Sequence, residues 1–439
     1  MSLIASPYLS DRSLKIRSKA IPWDGYQRAG LLSAEDVRLI QRVAGSREKA
    51  EPILDAEGEA YAALYVRLLS KLSRNDTLQF ILVLVGEFIA NREDRIPLFF
   101  DLQESPYPAL LKLLNSPDSF VRLKSSVLAS ILLAVDSEPQ DDVVGKLLGF
   151  LGGVVHSPNE PDAQDVAVQC LESVLRVSKA RKAAWAAEVD DEAAAGKSKI
   201  VEGLLRILQS SSPSPQMQYQ LGFCMWLLTF EKEVADGIQS RLSLIPNLLL
   251  LARRAQKEKI LRIVLSTFRN LLTLSPAANL PALLAADAGK WLKSLEGRAW
   301  ADEEAKEDWE WVRGEVKAGE EGMSTFAIYL STLTNPLSWT PPHKSEDFWQ
   351  INAPKLLEKD KTALKRLVDI LKTSDDSTSL AVAANDLAMF LKWCDGGKKA
   401  LDSLSVKARA MELMTTHPDP EVKYQNLIVT QRLIGGAWA

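Results

Sequence analysis

The chain has 439 residues, too many for one ordinary hydrophobic core, so it must divide into domains or run as a repeat array. Apolar residues make up 46% and charged residues 25%, the balance of a chain that folds, and the net charge of -4 argues against a nucleic-acid surface as its main interface. Three scattered cysteines, Cys170, Cys224 and Cys394, build neither a disulfide framework nor a paired metal motif and read as buried thiols of a reducing compartment.

From the start of the chain, the first 30 residues read as extended and irregular. They carry no basic segment followed by a long apolar run, so no secretory signal is expected there. The apolar runs at residues 80–85 and 147–155 are shorter than the ~20 residues a membrane span needs, so any membrane association is expected to come through a partner. Next come helical spacings. Leu110, Leu113 and Leu114 sit at i, i+3, i+4, and Leu128, Ile131 and Leu132 repeat the pattern one helix later. Such spacing puts apolar groups on one helix face, which must then be buried. Between the two stands Ser116-Pro117-Asp118, followed by Val121 and Arg122. Proline ends the preceding helix, Asp or Ser caps the next, and the valine opens its buried face. Looser copies start near Pro161 and Pro213.

Residues 190–199 are polar and rich in Ala and Gly and read as a loop. Their Gly196-Lys197-Ser198 has the ending of a phosphate-binding loop, but Asp191 stands where the first glycine belongs. Ile260, Ile263, Val264, Phe268 and Leu271 then extend helical spacing over three turns. Residues 335–346 hold Pro336, Pro341 and Pro342, which no continuous helix accommodates, so a domain junction is expected near residue 340. Beyond it the turn phrase returns at Asp375-Asp376 and at His417-Pro418-Asp419, the latter followed by Val422 and Lys423. Pro117 recurs at Pro161 and Asp376 at Asp419, a period matching the ~40–47 residues of HEAT or armadillo units. The expected fold is therefore all-α, a HEAT/armadillo-like helical-repeat superhelix. Residues 1–340 would form the repeat domain and residues 341–439 a smaller helical domain.

No catalytic constellation is visible. His156, His343 and His417 are isolated, His-Glu-x-x-His and Gly-x-Ser-x-Gly are absent, and neither a metal nor a cofactor is expected. None of the eleven tryptophans has an Asn four positions later, which removes the peptide-binding pairs that nuclear-import adaptors carry on their armadillo grooves.

Two regions resemble the H-subunit family of the vacuolar proton-pumping ATPase. One is Ile21-Pro22-Trp23-Asp24-Gly25-Tyr26-Gln27-Arg28-Ala29-Gly30, preceded by Lys15-Ile16-Arg17. The other is Leu337-Ser338-Trp339-Thr340-Pro341-Pro342-His343-Lys344-Ser345-Glu346, leading into Phe348-Trp349 and Asn352-Ala353. Leu380-Ala381-Val382-Ala383 with Asn385-Asp386, Gly396-Gly397-Lys398, Asp419-Pro420-Glu421-Val422-Lys423-Tyr424 and the acidic stretch from Arg298 to Glu304 follow in the family's order. The resemblance implies a non-catalytic regulatory component of the head sector, on the cytosolic face of vacuolar and other acidic-organelle membranes. It implies an N-terminal domain clamped on the peripheral stalk made of the pump's E and G polypeptides. It also implies a C-terminal domain that meets the cytosolic part of the membrane-sector a polypeptide in the assembled pump. In the detached head that domain would meet the B polypeptide and the central rotor and restrain ATP hydrolysis. A general HEAT-type adaptor for trafficking or transport cargo is the alternative.

Candidate partner-binding residues fall in three places. Trp23, Asp24 and Tyr26 form either a partner-binding hook or a cover for the first repeat. His343 and Lys344 either meet a partner at the junction or hold it by local hydrogen bonds. Lys372, Ser374, Asp375 and Asp376 lie on a polar turn that is either a solvated loop or a docking contact. A far-UV circular dichroism spectrum of the purified chain should be dominated by helix; substantial sheet content would contradict the fold expected from these spacings.

Overall fold

A computed structural model describes residues 4, 6–190, 199–210, 213–255, 257–322, 325–333 and 336–435. Gly196-Lys197-Ser198 lies outside the described residues. Among those described there are helices and turns and no strand, as the helical periodicity predicts. The chain divides into two compact units, Met1–Leu228 and Thr229–Ala439.

In the first unit, four helices stand in a row, each packed on the next: α4 (Asn75–Ile89), α5 (Ser119–Leu133), α6 (Pro161–Val174) and α7 (Pro215–Leu228). Further helices back them, such as Tyr107–Leu113 behind α5 and Asp141–Val155 behind α6. This is the stacking of repeat units that cannot bury their apolar faces alone. Leu128, Ile131 and Leu132 are all buried, as are Leu110, Leu113 and Leu114 on the backing helix.

The residues ahead of this row are not extended. They fold as α1 (Pro7–Arg17) and α2 (Trp23–Arg28), followed by α3 (Ala34–Val43). Ser6 caps α1 by accepting from Leu9 N, and Pro7 starts it, its fixed φ suiting the first turn. Only Leu9 and Ile16 of α1 are buried, too sparse a pattern to read as periodicity. What fastens α1 is its position across α4 and α5 and its last residue. The Arg17 guanidinium donates to Val43 O (3.1 Å), Gly45 O (2.7 Å) and Ala44 O at the end of α3, and its Nε donates to Glu87 (3.1 Å). One cation thereby satisfies the open carbonyls of a helix C-terminus. Ser33 and Asp36 close a reciprocal capping box at the start of α3.

In the second unit, α8 (Glu258–Leu274) buries Ile260, Ile263, Val264, Phe268 and Leu271, the residues singled out by spacing. After it come α9 (Pro276–Ala285), α10 (Glu303–Gly322) and the short α11 (Thr325–Thr332). α8 packs on α10, and α11 packs on α9. Toward the C-terminus, α12 (Ser377–Trp393), α13 (Val406–Thr416) and α14 (Pro420–Gly435) form a compact group, α14 lying against both others.

The recurring turn phrase is one hydrogen-bonded corner built three times. Asp118 accepts from Val121 N (2.9 Å), while its own N–H donates to Ser116 Oγ (3.2 Å). Asp376 accepts from Ser379 N (2.7 Å), while its own N–H donates to Ser374 Oγ (3.2 Å). Asp419 accepts from Val422 N (3.3 Å), and its N–H donates to His417 Nδ1 (3.1 Å). In each, the aspartate caps the coming helix and is itself tied to the residue two places earlier; Asp118 and Asp376 are extended there.

The proline-rich segment is held at two points, by Ser379 of α12 and by Ser243 near the start of the second unit. Leu337 N donates to Ser379 Oγ (2.7 Å), and Ser243 Oγ donates to Pro336 O (2.5 Å). Pro341 and Pro342 open a one-turn helix, Pro341–Lys344, that places His343 inside. There the Asp386 carboxylate of α12, wholly buried, accepts from His343 Nδ1 (2.7 Å) and from the Tyr329 hydroxyl of α11 (3.0 Å) on one oxygen, and from Asn385 Nδ2 (3.1 Å) on the other. Asn385 also donates to His343 O (2.8 Å). The Tyr329 ring lies 5.1 Å from Phe348 and 5.3 Å from Trp349, and all three belong to the C-terminal hydrophobic core, which therefore reaches back to α11. Burial, with the Asp386 charge beside it, holds the Tyr329 hydroxyl well above its ordinary pKa, so it stays a donor.

Removing the carboxylate strands two buried donors. Asp386→Ala should cost about 3 kcal/mol or more, and Asp386→Asn, which keeps the shape and one acceptor, should cost less. Urea unfolding monitored by circular dichroism checks both; an Ala variant as stable as the parent would show that the cluster does not hold the C-terminal core together.

Candidate partner-binding surfaces

Among the described residues no group of His, Cys, Asp and Glu is placed to hold a metal ion, and no helix is long and apolar enough to cross a membrane. The cysteines are sealed. Burial pushes the Cys170 thiol up to about 12, and raises Cys224 and Cys394 as well.

At the N-terminal corner, Trp23 and Tyr26 turn inward. Trp23 packs edge-on against Phe80 of α4, ring centroids 5.9 Å apart, and the Tyr26 hydroxyl bonds Thr77 Oγ1 at 2.5 Å. Both are buried, so this corner covers α4 with its aromatic rings and presents Asp24 instead. Asp24 is exposed and accepts from Gln41 Nε2 (3.1 Å). A hook built from the two rings does not exist in this conformation, because their apolar surface is already spent on the first repeat.

At the junction, His343 faces Asp386 and is wholly buried, which removes it from any partner surface. Lys344 is exposed, its ammonium 5.3 Å from the centre of the Trp339 ring. The polar turn is also less free than its composition suggests. Lys372 Nζ donates to Leu404 O (2.8 Å), Ser374 is buried under its bond from Asp376 N, and Asp376 caps α12. Asp375 and Asp376 are both exposed, but Asp376 is committed to the cap.

Two surfaces went unnoticed in the sequence. On α7, Tyr219, Phe223 and Trp226 follow one another at i, i+4, i+7, with rings 6.0 Å and 5.2 Å apart, and each keeps part of its surface open. That spacing was legible, but it reads equally as core. On α14, Tyr424, Leu427 and Ile434 form an exposed apolar stripe, Tyr424 being 57% exposed. It was hidden because the opposite face of α14, with Val422, Val429 and Leu433, has the same period.

A family model for the V-ATPase H polypeptide matches residues 7–315, and a second model with the same description matches residues 322–438. The H polypeptide of the V-type proton ATPase of Drosophila melanogaster is 32% identical, over 99% of this chain and 92% of its own length. The probable V-type proton ATPase H polypeptide of Oryza sativa subsp. japonica is 28% identical over 96% of each chain. Its counterpart in Dictyostelium discoideum is 26% identical over 98% of this chain and 95% of its own length. Two family models that together run nearly end to end, with relatives aligned along almost their whole lengths, establish that this chain belongs to the H-subunit family of the V-ATPase.

Proposed function

We propose that this chain is a non-catalytic regulatory component of a V-type proton pump. In this reading residues 1–340 clamp the peripheral stalk made of the E and G polypeptides. Residues 341–439 meet the cytosolic part of the membrane-sector a polypeptide in the assembled pump, and the B polypeptide and the central rotor once the head is detached. The same C-terminal residues then stop futile ATP hydrolysis. The complex works on the cytosolic face of vacuolar and other acidic-organelle membranes. The observation that carries the reading is the full-length match to relatives named as the H polypeptide of the V-type proton ATPase. A stator or a brake needs rigid surfaces rather than a reactive centre, and stacked helices supply them. Changing partner requires that the two docked states differ in binding free energy.

The buried cluster around Asp386 bears on how the brake is cut away. A fragment ending at residue 340 keeps Tyr329, Leu333 and Leu337 but loses the core that buries them. A second fragment ending at residue 322 avoids that exposed surface. Both should bind a purified E–G stalk pair and support ATP hydrolysis in the reassembled pump, and both should fail to silence detached head sectors. Full silencing by either fragment would show that the C-terminal residues are not the brake.

Point variants separate docking from stability. Asp375→Ala should change stability by no more than about 0.5 kcal/mol and raise ATP hydrolysis by the detached head. Asp376→Ala removes a helix cap and should cost about 1 kcal/mol, so it is no clean probe of docking. Purified alone, the intact chain should hydrolyse no ATP above background; turnover that survives re-purification would overturn the non-catalytic assignment.

A further inference from the structure

A lysine stands in the seam between two stacked helices of the first unit without a counter-charge of its own. Lys124 of α5 is only part-exposed, and its ammonium lies close over Gly86 of α4. A Cβ added at Gly86 would meet Lys124 Nζ at 2.7 Å and Cε at 2.9 Å, so any side chain there would push the lysine out of the seam. Among the described residues no acceptor lies within hydrogen-bond reach of that ammonium and no carboxylate pairs with it. The carboxylate whose field it feels, Glu87, is already paired with Arg17 of α1 at 3.1 Å. Burial lowers the ammonium below its usual pKa, opposed by Glu87. A cation held in this way costs the free chain stability, and a carboxylate brought to it from outside offsets that cost.

The surface beside it has the same sign. Arg17 from α1 and Lys124 from α5 flank Glu87, and α1 adds Arg12, Lys15 and, just past its end, Lys19, against the one carboxylate of Asp11. Arg12, Lys15 and Lys19 are exposed, and none of them forms an ion pair among the described residues. In a chain of net charge -4, a local excess of this kind favours an acidic partner. Leu14, 73% exposed, stands on α1 among these cations and gives the same surface an apolar contact. A single ammonium in a narrow seam suits a carboxylate better than a phosphate, whose greater charge calls for several donors or an arginine fork.

We propose that the corner formed by α1, α4 and α5 docks an acidic segment of the peripheral stalk, with one carboxylate entering the seam to pair with Lys124. Leu14, Lys15 and Lys19 meet the same segment outside the seam. The inference rests on the reading that residues 1–340 clamp the stalk, and it names the surface that does so.

Lys124→Met keeps the length and the apolar stem and removes the charge. In thermal melts it should be as stable as the parent or more so, because no pair is lost. Its affinity for the purified E–G stalk pair, measured on the full-length chain by biolayer interferometry, should fall by about tenfold or more. Lys15→Glu changes an exposed residue and should slow association, most of all at low salt. Lys146→Met removes an equal charge from an exposed site on another helix and should leave binding unchanged. Carbodiimide joins an amine only to a carboxylate in contact with it, and it should link Lys124 to an Asp or Glu of the stalk pair, located by mass spectrometry. If the parent chain fails to bind the stalk pair, the clamp reading falls and this surface falls with it. If the parent binds but Lys124→Met binds equally well, or Lys146→Met loses as much, or the crosslinks reach only other lysines, the clamp stands and this docking surface is wrong. A Lys124→Met variant that melts early while Lys15→Glu associates as the parent does would mark Lys124 as structural and overturn the proposal as well.

Discussion

A helix with one apolar face has nowhere stable to put that face except against a neighbour, and a repeat array exists because each neighbour has the same need. In the first unit this constraint orders almost everything else. The central helices α4 and α5 are buried on nearly every side, α4 by a nearly continuous apolar run and α5 by apolar residues with small buried serines between them, while α6 and α7 keep one narrow stripe each for solvent. The array also has an open first face, and Trp23, Tyr26 and α1 close it. Whatever reaches solvent on these helices is therefore a small set of side chains, and their chemistry stands out against a uniformly apolar interior.

The second unit uses a polar device where the first uses shape. Asp386 is a buried charge, and a buried charge is tolerable only when its lone pairs are filled. Filling them draws together α11, the one-turn helix after the prolines, and α12. The proline-rich segment is thus not a loose tether in this conformation. Movement about it would expose the carboxylate and separate Tyr329 from Phe348 and Trp349. Any such movement is for that reason expected to be switch-like, with a barrier, rather than a continuous swing.

What could be read in the sequence follows from range. The corner at Asp118 was legible because its partners are two and three residues away, and the face of α8 because five apolar residues keep one period. The α1 helix was not, since Leu9 and Ile16 alone carry no pattern and its fastening lies in Arg17, whose partners sit at Val43 to Gly45 and at Glu87. His343 was read either as a partner contact or as a residue that holds the junction by local hydrogen bonds, and its acceptor is Asp386, on a helix far along the chain. Asp376 shows a different gap. Its capping role was visible by comparison with Asp118, but a short polar turn also invites a reading as a contact, and only geometry separates the two.

The sealed cysteines carry a consequence for watching this molecule at work. Cys170 and Cys224 lie inside the first unit and Cys394 inside the second, so a thiol reagent reaches any of them only when the helices around it part. Labelling rates at the three positions therefore act as built-in clocks for local opening, two for the stacked pair α6 and α7 and one for the C-terminal end of α12. Resolved by peptide mass mapping, they report whether a bound partner quiets one unit, the other, or both, without a single engineered residue.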